Sequence, residues 1–308
     1  MCYSAEILNI QREYLEFGVR LDYIEAERIF LERKADPRIK IPRAFEAYFD
    51  NPRNAEEKRI KELIEEHRAT TETALQQDMF KQAKRLADAQ RSLQTKETKK
   101  ARDDVRIATA KIDANRQRLQ RLRAPDLDVE DGRIFPFWYA PIIVKRDGQN
   151  VLTLARYHLR QAGAPESIDR KYPGLYNARR DNLEKFWRDQ FGQSHALMLV
   201  SSFFENVERD GKNVVLHFNP RPAQTMYVAC LYGEWTNPAG EKLTSFAAVT
   251  DEPPQEIAAA GHDRCIVNLK RENVEAWLSP QGRSIDDLQA ILSDRQAPYY
   301  EHRVEEAA

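Results

Sequence analysis

RNAEEKRIKELIEEHRATTETALQQDMFKQAKRLADAQRSLQTKETKKARDDVRIATAKIDANRQRLQRLRA, from Arg53 to Ala124, contains neither glycine nor proline, and Pro52 and Pro125 stand on either side of it. Its abundant Ala, Glu, Lys, Arg and Gln lose little freedom on entering a helix. Apolar residues recur at helical spacing: Ile60, Leu63 and Ile64, then Leu75, Met79, Ala83, Leu86 and Leu93, then Val105, Ala108, Ile112, Leu119 and Leu122. Each run therefore has one face to bury. The stripe fades over Gln94–Asp104, which predicts a turn there and two antiparallel, coiled-coil-like arms, each roughly 45 Å long at about 1.5 Å per residue. A single unbroken helix is the alternative reading.

Charge divides unevenly between the arms. Arg53–Gln90 carries 8 basic and 8 acidic residues, whereas Arg91–Ala124 carries 11 basic and 4 acidic, in a chain whose formal net charge is -1. The whole chain thus has no global attraction to nucleic acid, and any such affinity must be local. A charged helical face is usually only solvated. Attraction to phosphate is screened beyond about 8 to 10 Å, so the second arm serves a DNA or protein partner only if it lies beside it.

On both sides of this stretch the pattern changes. After Pro125 come short runs rich in β-branched and aromatic residues: IFPFWYAPIIV from Ile134, SHALMLVSSFF from Ser194, NVVLHFN from Asn213, TMYVACLYGEW from Thr225, LTSFAAVT from Leu243 and CIVNL from Cys265. These predict strands. Short helices are expected at Glu272–Leu278 and, behind Ser284 as N-cap, at Ile285–Leu292. The predicted class is α+β: a mainly β domain made of residues 1–52 and 125–308, interrupted by a helical hairpin over 53–124.

With 308 residues, 42% hydrophobic and 31% charged, the chain has the composition of a soluble globular protein. The first residues lack the basic and apolar regions of a signal peptide, and no apolar run is long enough to span a bilayer, so a cytoplasmic location is expected. Cys2, Cys230 and Cys265 are too few and too scattered for a disulfide scaffold or a zinc site. No metal or cofactor is expected.

Cys2 carries the sharpest chemistry. Removal of Met1, which a small second residue favours, places a thiol and a free α-amine on one residue. The amine's reference pKa of about 7.7 to 8 leaves part of it neutral and nucleophilic near pH 7. Amine attack on an aldehyde gives a Schiff base, and the thiol then closes a five-membered thiazolidine. By position alone, a cysteine at residue 2 is more often incidental.

Further motifs stand in order along the chain: Met1-Cys2, Tyr176-Asn177-Ala178-Arg179, Phe203-Phe204-Glu205 and Gly261-His262-Asp263-Arg264. Weaker ones are Phe137-Trp138-Tyr139-Ala140-Pro141 and Glu301-His302-Arg303-Val304. Together these resemble the SRAP family (SOS-response-associated peptidase, or abasic-site processing proteins), over roughly residues 1 to 50 and 125 to 305. The resemblance implies an SRAP-like domain and a covalent thiazolidine crosslink between Cys2 and abasic sites in single-stranded DNA, after Met1 is removed by self-processing or by an aminopeptidase. It also implies an autopeptidase and lyase-like activity, with Asn177, Glu205 and His262 joining Cys2 in catalysis. Glu205 suits general acid–base work, His262 a proton shuttle, Arg179 a phosphate clamp, and Asn177 orientation of the amine or a sugar hydroxyl. Single-stranded DNA can splay its bases over aromatic side chains, for which Trp138, Tyr139 and Trp187 are the candidates, though core packing is as good an account of each.

The chain also departs from the pattern. Tyr3-Ser4 stands where the family commonly has Gly-Arg, Cys265-Ile266-Val267 replaces the usual proline after the His-Asp-Arg segment, and the hairpin has no counterpart in compact members. Two other classes of function stay open on sequence: a noncatalytic scaffold that recruits partners through the arms, and a peptidase using Cys2 as an N-terminal nucleophile.

Overall fold

A computed structural model describes residues 4–7, 14, 16–209 and 211–305 of the chain. Its strands, in chain order, are β1 Ser4–Glu6, β2 Arg20–Leu21, β3 Arg133–Ile134, β4 Tyr139–Arg146, β5 Gln149–Tyr157, β6 Asn177–Arg179, β7 His195–Val200, β8 Ser202–Arg209, β9 Lys212–Arg221, β10 Met226–Thr236, β11 Lys242–Asp251, β12 Cys265–Ile266, β13 Asn268–Leu269 and β14 Tyr299–Val304. The runs read as strands after Pro125 supply most of them, and the fold is mixed α+β.

Five strands pair in a ring. β4 pairs antiparallel with β5, β5 lies parallel to β11, β11 pairs with β10, β10 with β7, and β7 returns to β4. Closure leaves these strands no free edge. The middle of β11, Leu243–Thr250, is buried on both faces, so it reads as one apolar run rather than an alternation. A second sheet runs in the order β14-β9-β8-β1-β3. The helix Ile285–Ser293 opens with a capping box between Ser284 and Asp287, and Val274–Leu278 forms the helix before it. Trp277 of that helix is buried and donates its indole N–H to the Ala196 carbonyl at 3.0 Å.

The chain divides into two compact units, Met1–Glu57 with Asp128–Ala308, and Lys58–Leu127. The second unit holds most of the helix Ala55–Thr95 and all of Lys99–Arg123. Arg85 meets Asp104 at 2.5 Å, Asn115 donates to Asp78 at 2.8 Å, and Arg123 pairs with Glu72, so the two helices run antiparallel. The turn is shorter than the fading stripe predicts. Helix continues to Thr95, and Thr98 accepts from the Ala101 N–H to start the next helix. Lys, Glu, Ala and Arg hold the helix here by propensity where no apolar face asks for it. The arms are therefore unequal: 41 residues span about 60 Å and 25 residues about 37 Å, in place of two of 45 Å.

Candidate active site

Side chains alternate along β8, which puts Phe203, Glu205 and Val207 on one face and Ser202 and Phe204 on the other. Glu205 is fully buried, and its Oε2 lies 3.1 Å from His262 Nε2. His262 sits in the turn between the helix Gln255–Ala259 and β12. Gly261 takes φ +98°, a conformation that a side chain would strain, and this bend turns His262 toward β8.

The imidazole's other nitrogen, Nδ1, lies 2.9 Å from the Arg264 carbonyl oxygen. The Arg264 N–H also lies 3.4 Å from Nδ1, but the shorter carbonyl contact favours a hydrogen on Nδ1, which leaves Nε2 facing the Glu205 carboxyl group. Burial pushes the His262 imidazolium down to about 4, which favours the neutral ring at physiological pH. A carboxyl group and an imidazole at this distance are chemically suited to exchanging a proton.

β6 lies parallel to β11, with Asn177 opposite Ala248 and Arg179 opposite Thr250. On β11's other side Thr250 faces Ile266 and Asp251 faces Cys265. The segments bearing Asn177, Arg179 and His262 therefore flank one end of β11. Asn177 is buried and Arg179 exposed, its guanidinium 2.9 Å from Asp181. Arg264 Nη2 approaches the same carboxylate oxygen at 3.8 Å, and its buried Nε has no hydrogen-bond partner among the described residues. Two guanidiniums against one carboxylate leave a positive charge suited to an anion. Sequence reading passed over Arg264, although it stands in the same short motif as His262 and is of the residue type that clamps phosphate.

Cys2 lies outside the described residues. Ser4, two residues on, is buried and paired with Phe204, the neighbour of Glu205. Arg133 donates to Ser4 Oγ at 3.0 Å and lies over the Phe204 ring at 3.8 Å.

Among the aromatic candidates, Tyr139 at 7% exposure and Trp187 at 2% are core residues and present no open face for stacking. Burial follows from their places, in a barrel strand and in the chain packed before β7. Trp138 is half-buried against Phe135 at 5.2 Å. Phe137, which stood in the aromatic motif but not among the stacking candidates, is exposed, with a φ of +72°, and stacks on His158 at 4.3 Å.

Cys230 and Cys265 are free and buried, and burial raises both thiols. Among the described residues no group of three or more His, Cys, Asp or Glu could hold a metal ion, and no helix is long and apolar enough to cross a membrane.

Fold and site together define an α+β protein with a closed barrel and a buried carboxylate–imidazole pair beside an arginine cluster. The family model of SOS response associated peptidases (SRAP) matches residues 91–307, well over half of the chain, and the chain belongs to that family. The abasic site processing protein YoaM of Bacillus subtilis is 26% identical over 121 residues, which cover 38% of this chain and 53% of that protein. The chain thus spans about half the length of this curated relative. Among solved structures, a protein from Bacteroides thetaiotaomicron is similar with a TM-score of 0.49 at 18% identity, covering 56% of this chain and 77% of that one. A protein from Bordetella bronchiseptica gives 0.47 at 18% identity, covering 60% and 90%. A phage-related protein from the same organism gives 0.45 at 16% identity, covering 60% and 86%.

Proposed function

We propose that this protein captures abasic sites in single-stranded DNA through Cys2. The α-amine of Cys2, free once Met1 is hydrolysed away, attacks the aldehyde of the ring-opened sugar. The resulting carbinolamine loses water to an imine, and the thiol adds across the imine carbon, its proton passing to nitrogen, to close a thiazolidine. These steps need a group that protonates the departing hydroxyl and removes a proton from the amine, and a carboxyl group and an imidazole 3.1 Å apart suit both.

The observation that carries the reading is the 3.1 Å Glu205–His262 contact, on a strand where Phe204, the residue before Glu205, pairs with Ser4. Two peptide units reach about 7 Å at most, so chain connectivity alone keeps Cys2 close to Ser4. Family membership and the printed name of the Bacillus subtilis relative favour an abasic substrate. Arg179 and Arg264 suit a phosphate of the strand, Asn177 a sugar hydroxyl, and Trp138 a stacked base. Tyr139 has no such role here, being buried.

We assign the hairpin over residues 53–124 as an insertion in the family's domain that adds affinity for the DNA backbone. That stretch holds 19 basic and 12 acidic residues, leaving 29 basic and 37 acidic in the remainder of the chain. The cationic charge is thus concentrated in the arms.

The test incubates Met1-processed protein with a single-stranded oligonucleotide bearing one abasic site and resolves the products on a denaturing gel beside Cys2→Ala. A shifted band that disappears with Cys2→Ala is the expected result. No band with the native chain, or an equal band with the variant, overturns the proposal.

A further inference from the structure

On the face of β8 opposite Glu205, a buried polar chain crosses the second sheet. Arg303 Nη2 lies 3.2 Å from His217 Nδ1, His217 Nε2 lies 2.7 Å from Ser202 Oγ, and Ser202 Oγ lies 2.5 Å from Glu6 Oε2. A guanidinium can only donate, so the direction of every bond follows. Arg303 donates to Nδ1, the neutral imidazole donates from Nε2 to the serine oxygen, and the serine hydroxyl donates to Glu6. The His217 ring is stacked on Phe204 at 4.2 Å, and burial, with Arg303 and Arg133, pushes its pKa down to about 4, in keeping with a neutral ring.

The chain ends on a carboxylate that Ser202 and Ser201 approach from one side. Glu6 is 3% exposed, and its Oε1 is buried without a hydrogen-bond partner among the described residues. Such an atom costs folding energy unless something donates to it. Glu6 and His217 both line a cavity of about 690 Å³, shared with Ser201, Asn219, Arg221, Gln224, Glu301 and Arg303. The volume falls within the usual range for small-molecule sites, about 300 to 1,000 Å³. Arg221 on the wall is ion-paired with Glu301 of the same wall, whereas Arg303 keeps donor capacity beyond His217 and suits a group that carries both an N–H donor and a phosphate. The amides of Asn219 and Gln224 suit the edge of a heterocycle. Every DNA base offers at least one N–H.

We infer that this cavity is a nucleobase subsite for the strand that carries the lesion, in which Glu6 Oε1 accepts an N–H of the base and Arg303 faces its phosphate. The assignment to that strand rests on the abasic-site reading. Glu6 follows Cys2 by four residues, so the two are at most about 14 Å apart along the chain, a reach of a few nucleotides. The subsite would hold a base near the lesion while chemistry proceeds on the other face of β8.

The subsite can be tested without the crosslink, using the Cys2→Ala protein. Isotope-labelled protein is titrated with dAMP, dCMP, dGMP and dTMP, with deoxyribose 5-phosphate and inorganic phosphate as base-free probes, while the His217 ring nitrogens are followed by NMR. Saturable shifts are expected with the nucleotides, at affinities at least about 10-fold above those of the base-free probes. Glu6→Gln keeps an acceptor for Ser202 but turns an N–H₂ toward the cavity, and should lose about 10-fold or more of nucleotide affinity. Asn219→Ala provides the same reading if Glu6→Gln fails to fold. Equal response to deoxyribose 5-phosphate, absence of saturable shifts, or a folded Glu6→Gln protein that binds nucleotides as the parent does would each overturn the inference. Because Cys2 is absent throughout, a missing crosslink and a missing subsite give separate results.

Discussion

Lys81, Lys84 and Lys100 line a groove of about 480 Å³ between the two long helices, bridged by the Arg85–Asp104 ion pair. None of the three lysines forms an ion pair among the described residues, so their charge is available to phosphate. Changing all three to glutamine removes three charges at little cost in helix propensity. For single-stranded DNA each neutralised phosphate contributes about 0.7 to the slope of log K against log salt concentration. Loss of three contacts should flatten that slope by about 2 and weaken binding by about 100-fold at 0.1 M salt. The assay is fluorescence anisotropy with an undamaged single-stranded oligonucleotide, on the full chain, from 50 to 200 mM salt. Single substitutions should each lower the slope by about 0.7. An unchanged slope in the triple variant, with helicity intact by circular dichroism, would show that the arms are merely solvated and refute the assignment of DNA affinity to them.

Further expectations concern the site and the core. Glu205→Gln should slow single-turnover crosslinking by about 100-fold or more, the usual share of general acid–base catalysis, and adding His262→Asn should slow it little further, since the two act as one unit; fully additive effects would argue for separate roles. Arg264→Ala should weaken binding of abasic single strands by about 10-fold or more, as expected for a lost charge-assisted bond, measured by competition against the parent; unchanged affinity would remove it from the phosphate site. His195 has both ring nitrogens engaged, with the Trp277 carbonyl and the Gly192 N–H, each at 2.9 Å, and burial pushes it down to about 3. Its pKa is lower folded than unfolded, so its contribution is complete above about pH 6.5 and falls as pH drops toward 3, with about 2 kcal/mol lost by pH 5. His195→Gln should accordingly flatten the pH dependence of urea unfolding between pH 7 and 5, and parallel curves for the two proteins would contradict this.

Local signals in the chain carried further than its length suggests. The absence of glycine and proline from Arg53 to Ala124, with apolar residues at helical spacing, was enough to read two helices, because helix propensity is a property of neighbouring residues. Ser284, as an N-cap ahead of the run from Ile285, announced its helix for the same reason. Where the second arm begins was misplaced, since a stripe marks the face to be buried, whereas the helix starts where a cap such as Thr98 can form. Glu205 and His262 were legible as candidates through ordered motifs.

Only tertiary structure could decide the rest. Glu205 and His262 stand 57 positions apart, and their 3.1 Å contact depends on how β8 and the turn at Gly261 meet. Ring closure through the parallel β5–β11 pairing is equally invisible in sequence, because strand partners are chosen by which faces pack together. The same holds for Glu6, Ser202, His217 and Arg303, unremarkable one by one along the chain and made into a directed polar chain by the register of four neighbouring strands. Periodicity, capping and residue chemistry are local and survive in a string of letters; burial, proton position and the company each side chain keeps arise from contacts between distant segments, and those exist only once the chain has folded.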